Sequence, residues 1–330
     1  MSRHANASCS APATSSAPPS ATPSRRARRR LLWAFALLAL GLGWYFKLPA
    51  LAYYAARTHL ASADWEGRSV GLSSYRVAIE GLPVDGLTRN TSGLTFNADT
   101  GTLFTVINRP PQVAELSTDG RLLRLIPLEG VNDPEGITHV QGDTYVISDE
   151  DSHSLTWVRL GPGTQRLSLA GQPRLQLGID VVRNASFEGV SWDSANGRLF
   201  VVKEKLPLRV LVMTGLQPAI GGSGFDVGIS EWKSSSAATL FMSDLSSLTF
   251  HEPTGHLLLL SDESAMVVEY APDGTPVSLL PLWRGMNGLQ RKVPQPEGLA
   301  VGNDGAVYVL SEPNLFYRFE PPRAPAWALR

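Results

Sequence analysis

Glu135, Glu188 and Glu297 each precede a glycine at the start of an alternating apolar–polar stretch, in "DPEGIT" (133–138), "SFEGVS" (186–191) and "QPEGLA" (295–300). Ser92 and Ser246 occupy the same place in two further copies, and a second set of polar residues, Asn108, Asp149, Glu204, Asp262 and Glu312, ends the strand that follows. Arranged around one axis, three glutamates in one ring and four acids with an asparagine in the other would converge on a region of low dielectric. Like charges held that close raise one another's pKa. A hard divalent cation relieves the repulsion, and Ca²⁺ takes about six to eight oxygen ligands from carboxylates, amides and water. None of the six histidines falls in either ring, which argues against zinc or copper. The seven acids are therefore candidate calcium ligands, with Ser92, Asn108 and Ser246 as secondary axial polar groups. Repeats also copy residues by descent, and Glu-Gly at a strand start can serve turn geometry or accept backbone N–H bonds, so a purely structural role stands beside the metal reading.

The elements that would position these residues recur five times: "SGLTFNADTGTLFTVIN" (92–108), "EGITHVQGDTYVISD" (135–149), "EGVSWDSANGRLFVVKE" (188–204), "SSLTFHEPTGHLLLLSD" (246–262) and "EGLAVGNDGAVYVLSE" (297–312). Each copy reads as strand, Gly- or Asn-Gly-bearing hairpin turn, strand. Successive copies start 43 to 58 residues apart, the length of a four-stranded propeller blade. Third strands follow at 112–118, 154–160, 266–272 and 315–321, and fourth strands after Asp-Gly at 119–128 and 273–282. Copy three is irregular, and its Gly/Ser-rich stretch 214–228 reads as a long loop. The last copy lacks a fourth strand, and "YRVAIEGLPV" (75–84) is left over before the first, so an N-terminal strand closing the last blade gives an all-β, five-bladed propeller. An open β-solenoid would need capping units at both ends.

Before the repeats the chain changes character. Residues 2–24 are Ser/Ala/Pro-rich and read as disordered. "RRARRR" (25–30) precedes the uncharged run 31–46, and snorkelling of Lys47 extends the apolar segment to Ala52. The sequence thus divides into a basic cytoplasmic tail (1–30), a transmembrane anchor (31–52), a linker (53–72) and the propeller (73–322). The arginines place the N-terminus in the cytoplasm and the propeller across the membrane, as in a single-pass inner-membrane protein with a periplasmic domain. A cleaved signal peptide, with "ALA" (50–52) as its site, is the competing reading and exports the same domain. The lone Cys9 provides no disulfide framework, and a formal net charge of −1 gives no reason to expect a nucleic-acid partner.

The stretches "GLTFNADTGTLFTVIN", "PEGITHVQGDTYVISDED", "FEGVSWDSANGRLFVVKEK", "VVEYAPDG" and "EGLAVGNDGAVYVLSEPNLFYRF" resemble the SdiA-regulated (YjiK-like) family of membrane-anchored bacterial proteins, from about Leu87 to Phe319. "SEPNLFYRF" and "VVKEK" are the most specific pieces. The resemblance implies a five-bladed propeller, distantly similar to NHL-repeat propellers, with bound calcium and no established activity.

Other residues carry weaker signals. "SDEDSH" (148–153) is acidic but lacks EF-hand spacing. Glu150 and Glu263 follow the second ring and read as solvent-facing or paired with basic residues. Lys203 and Lys205 flank Glu204 as ion-pair partners or as contacts for an anionic ligand, and Trp157, Trp192 and Trp283 read as core. Two function classes remain: a module binding a protein or small ligand over a calcium-filled face, and a calcium-dependent hydrolase of the lactonase or esterase kind, in which the ion polarises a carbonyl or activates water. His139 and His153 lie outside both rings, which favours binding. A purely structural metal is a third possibility, and fold alone does not choose.

Overall fold

In the strand His256–Ser261 every residue is buried, and successive side chains enter two different cores. Leu257 and Leu259 pack between the third and fourth blades, Leu258 and Leu260 between the fourth and fifth. A strand covered on both faces needs an unbroken apolar run instead of alternation, which is why "HLLLLS" is a strand. The computed structural model describes residues 24–45, 48–178, 187–204, 208–217, 226–232 and 240–322. The expected disordered segment up to residue 23 with Cys9, Lys205 and the centre of the expected loop 214–228 lie outside them.

Five antiparallel blades follow one another. From the axis outward the first holds Thr91–Asn97, Thr102–Asn108, Pro111–Leu116 and Leu122–Glu129, with Leu167–Ser168 added in parallel at its outer edge. The second holds Pro134–Gln141, Thr144–Asp149, Ser154–Arg159 and Arg174–Gln176, and the third Phe187–Asp193, Arg198–Lys203, Arg209–Thr214 and Gly228–Glu231. The fourth holds Ser247–His251, His256–Ser261, Met266–Tyr270 and Pro276–Pro281. In the fifth, Pro296–Val301, Val307–Ser311 and Leu315–Glu320 are joined by Arg76–Pro83 from the other end of the sequence. The expected closure is thus present, with Val77 opposite Phe319 and Leu82 opposite Phe316. Five apolar clusters fill the five joints between blades.

The N-terminal region forms two helices. Helix α1 (Arg25–Tyr45) forms a compact unit of its own. Its large apolar residues, Leu31, Trp33 and Phe35 among them, are exposed. Helix α2 (Leu48–Leu60) belongs to the propeller unit. Tyr54 stacks on Phe241 with ring centroids 4.7 Å apart, and Ala50 and Leu51 pack against the core between blades three and four. Ala50 and Leu51, assigned from sequence to the anchor, therefore meet protein. Among the described residues no single helix is long and apolar enough to cross a membrane, while α1 and α2 together suffice by length and composition. Beyond α2, Val70 and Leu72 are buried, and the Glu269 carboxylate receives the Val70 N–H at 2.7 Å. Within the expected linker, Tyr54, Thr58, Val70 and Leu72 are buried.

Candidate metal centre at one mouth of the propeller axis

The inner strands begin so close together that the residue after each glutamate has no room for a side chain. A Cβ on Gly136 would lie 2.7 Å from the carbonyl oxygen of Glu188, and one on Gly93 2.6 Å from that of Glu135. On Gly298 it would fall 2.8 Å from Leu94 Cβ, and on Gly189 2.9 Å from the Leu248 nitrogen. The recurring glycine is thus a packing requirement of the narrowing axis, and in blade four the place is taken by buried Ser247. Ser92 and Ser246, which replace glutamate in blades one and four, donate to the next blade's main chain, at Glu135 O (2.9 Å) and Pro296 O (2.8 Å). Their hydroxyls fasten blades together.

Glu188 lies within reach of the charges of Glu135 and Glu297, and Glu297 within reach of that of Glu135. Burial pushes Glu135 up to about 7, against hydrogen bonds from Asn108 and Ser92 that favour its charged form. Burial, then the charges of Asp262, Glu135, Glu312 and Asp244, push Glu297 up to about 9. Glu188 is driven well above the carboxylate range by burial and by Glu135, Glu204, Glu150 and Glu297. Asp262 and Glu312 are also raised, burial being the first cause for each. Glu135, Glu188, Glu297, Asp262 and Glu312 thus share one region, and each of these five resists ionisation there.

The strand register changes one member of the outer ring. Thr91 pairs with Ile107, Pro134 with Asp149, Phe187 with Lys203 and Pro296 with Ser311. One residue further on, the equivalent positions are Asn108, Glu150, Glu204 and Glu312. Glu150 therefore replaces Asp149, because the sequence alignment of copy two is off by one. Backbone bonds repeat the equivalence: Asn108, Glu150 and Glu312 donate their N–H to Asn90, Asp133 and Gln295, at 3.2, 2.9 and 3.0 Å. Asp149 instead organises its own turn, accepting from Asp133 N (3.1 Å) and Ser152 Oγ (2.5 Å).

Glu150, expected to face solvent or a basic partner, joins Glu135 and Asp133, one carboxylate oxygen from each lying within 4.8 Å of the others. Asp133 was missed, although the residue two before each inner-strand polar position is polar in all five copies: Asn90, Asp133, Ser186, Asp244 and Gln295. Asp244 is committed to a turn, accepting from Asp262 N (3.2 Å) and Glu263 N (3.1 Å). Around the triplet, Asn108 Nδ2 donates to Glu135 Oε1 at 2.9 Å, and Arg109 reaches Asp133 Oδ2 at 3.2 Å. Asn108 Oδ1 and Asp133 Oδ1 are buried with no hydrogen-bond partner. Buried oxygens without donors are costly, and an oxygen-seeking cation would satisfy both. The residues present fit calcium.

The histidines stand apart from this triplet. His139 lies four residues along the inner strand from Glu135, its Nε2 2.8 Å from Gly142 O. His153 sits in the turn after Glu150 with φ +48°. Trp157 and Trp192 are buried as expected, whereas Trp283 is exposed and donates to Ser264 O at 3.1 Å.

The family model described as SdiA-regulated matches residues 67–320. Among solved structures, a luciferin-regenerating enzyme is similar at 13% identity and a TM-score of 0.50, covering 76% of this chain and 97% of its own. A calcium-binding protein, regucalcin, from Agrobacterium tumefaciens is 12% identical, with a TM-score of 0.45 over 76% of this chain and 97% of its own. A streptogramin B lyase is 13% identical, with a TM-score of 0.40 over 78% and 77%. At these identities the likeness is one of fold.

Proposed function

We propose that this chain, which belongs to the SdiA-regulated family, is a membrane-anchored, extracytoplasmic binding module that holds one calcium ion at the mouth of its axis. Asp133, Glu135 and Glu150 would supply carboxylate oxygens and Asn108 an amide oxygen. The observation that carries this reading is the pair of buried, partnerless oxygens, Asn108 Oδ1 and Asp133 Oδ1, beside three carboxylates whose oxygens lie within 4.8 Å. A bound cation would neutralise the cluster and offer remaining coordination positions to an oxygen-bearing ligand. Hydrolysis would ask more of the site, since no histidine belongs to the triplet and His139 is hydrogen-bonded to Gly142 O. The anchored, exported placement is supported by five arginines ahead of an uncharged apolar run.

Isothermal titration of the metal-free protein with Ca²⁺ tests the site. One saturable ion is expected, weakened at least about tenfold by Asp133→Asn or Glu135→Gln. Absence of saturable binding, or binding indifferent to both substitutions, overturns it.

A further inference from the structure

The axis has a second mouth. Beyond the glutamate and glycine layers, the inner strands carry an apolar layer that includes Leu94, Val190 and Leu248, and this layer floors a cavity of about 860 Å³ lined by all five blades. That volume lies within the range of small-molecule sites, roughly 300–1,000 Å³. The cavity holds none of the carboxylates of the metal centre.

Its chemistry is legible layer by layer. Above the floor, Thr95, Thr138 and Ser191 accept main-chain N–H bonds from His139, Trp192 and Phe250 of the next blade, at 3.1, 3.1 and 2.9 Å. These hydroxyls serve the joints between blades. The wall carries Phe96, Trp192 and Phe250. Phe96 is stacked on Tyr308 (6.5 Å, 8°) and Phe250 on Phe200 (5.2 Å, 16°), and both remain half-buried. At the rim stand Asp99, whose side chain is 65% exposed, and Glu252, fixed by the Ser194 N–H at 2.7 Å. The described lining residues include no lysine or arginine. His251 is pushed down to about 4 by burial and is neutral at neutral pH.

We propose that this cavity is a second ligand site, for a small organic ammonium ion, with the aromatic wall and the two rim carboxylates as its recognition elements. Aromatic faces attract cations through their quadrupole, most strongly where water is excluded. His139 Nε2 lies 3.9 Å from Asp99 Oδ2, but with no lysine or arginine among the described lining residues the two carboxylates set a negative potential over the mouth. A neutral or anionic ligand of the same size gains neither.

The test is isothermal titration of the full chain in maltoside micelles with choline and with its uncharged isostere 3,3-dimethylbutan-1-ol. Choline binds saturably and the alcohol at least about tenfold more weakly. Asp99→Asn, at an exposed position where folding is not at stake, and Phe250→Leu each weaken choline several-fold. Glu135→Gln, in the metal centre, leaves choline binding unchanged, so the two sites are tested separately. No saturable choline binding, equal binding of the alcohol, indifference to Asp99→Asn, or loss on Glu135→Gln would each overturn the proposal.

Discussion

Asn108 Nδ2 donates to Glu135 Oε1 at 2.9 Å across the boundary between the first and second blades. The bond fixes which way the amide lies and leaves Asn108 Oδ1 buried beside an acid that burial already holds near 7. Replacing Asn108 with alanine removes one stabiliser of the charged glutamate and one metal-seeking oxygen together. Calcium affinity is expected to fall by about tenfold or more, and a titration that leaves it unchanged would refute the role given to Asn108.

The raised carboxylates make a signed statement about pH. Glu135 and Glu297 hold protons in the folded state up to about 7 and about 9, against 4.5 for the unconstrained group. Between those values the folded chain binds more protons than the unfolded one, so the metal-free protein loses stability as pH rises. Each unit of elevation corresponds to about 1.4 kcal/mol. The melting temperature without metal should fall from pH 5 to pH 9 (about the span of these shifts), and saturating Ca²⁺ or Glu135→Gln with Glu297→Gln should flatten the slope. A metal-free protein with a pH-independent melting temperature contradicts this.

Gly136→Ala drives a Cβ to 2.7 Å from the Glu188 carbonyl oxygen, in an inner strand that has little room to move. A cost of roughly 2–4 kcal/mol is expected, in the range of overpacked cores and above. Gly163→Ala, with nothing within 4 Å, serves as the control and should stay within about 0.5 kcal/mol. Urea unfolding of both variants decides the point.

Glu269 holds the N-terminal segment to the fourth blade. Burial alone would raise it, but hydrogen bonds from His256, Ser278, Val70 N–H and Ser69 outweigh that and hold it below the ordinary carboxylate range. A depressed acid contributes stability above its unfolded pKa and loses it as pH falls through the folded one. Glu269→Ala should cost about 3–5 kcal/mol and open the segment around Val70 to protease. Resistance equal to the parent's would refute the clasp.

Deleting Arg76–Pro83 removes the outer strand of the fifth blade and exposes the edge of Leu315–Glu320. Aggregation is the expected outcome. A deletion variant that stays monomeric and melts at the parent's temperature would argue against closure as a source of stability.

Repeat number, closure strand and the common region of the acids were legible because they depend on composition at a fixed spacing. The finer features depend on geometry that spacing does not carry. Gly136 looked like turn chemistry and is a close-contact residue. Asp149 took the place of Glu150 because two adjacent acids look alike in composition, and only the pairing of Pro134 with Asp149, matching that of Pro296 with Ser311, shows which one is equivalent to Glu312. The short strands Arg174–Gln176 and Gly228–Glu231 have too few residues to show a period. Helix α2 read as anchor and linker because a helix that packs against protein through Tyr54 and leaves Tyr53 exposed has the same composition as one that meets lipid.

Arg76–Pro83 is made before the first blade and Leu315–Glu320 after every other blade strand, yet each is the other's hydrogen-bonded neighbour. For nearly the whole time the ribosome spends on the blades, the first strand has no partner and the growing arc has no seam. The ring is therefore completed in a single late event. A ribosome that stops before Leu315 releases an unclosed arc with two raw edges, not a smaller propeller.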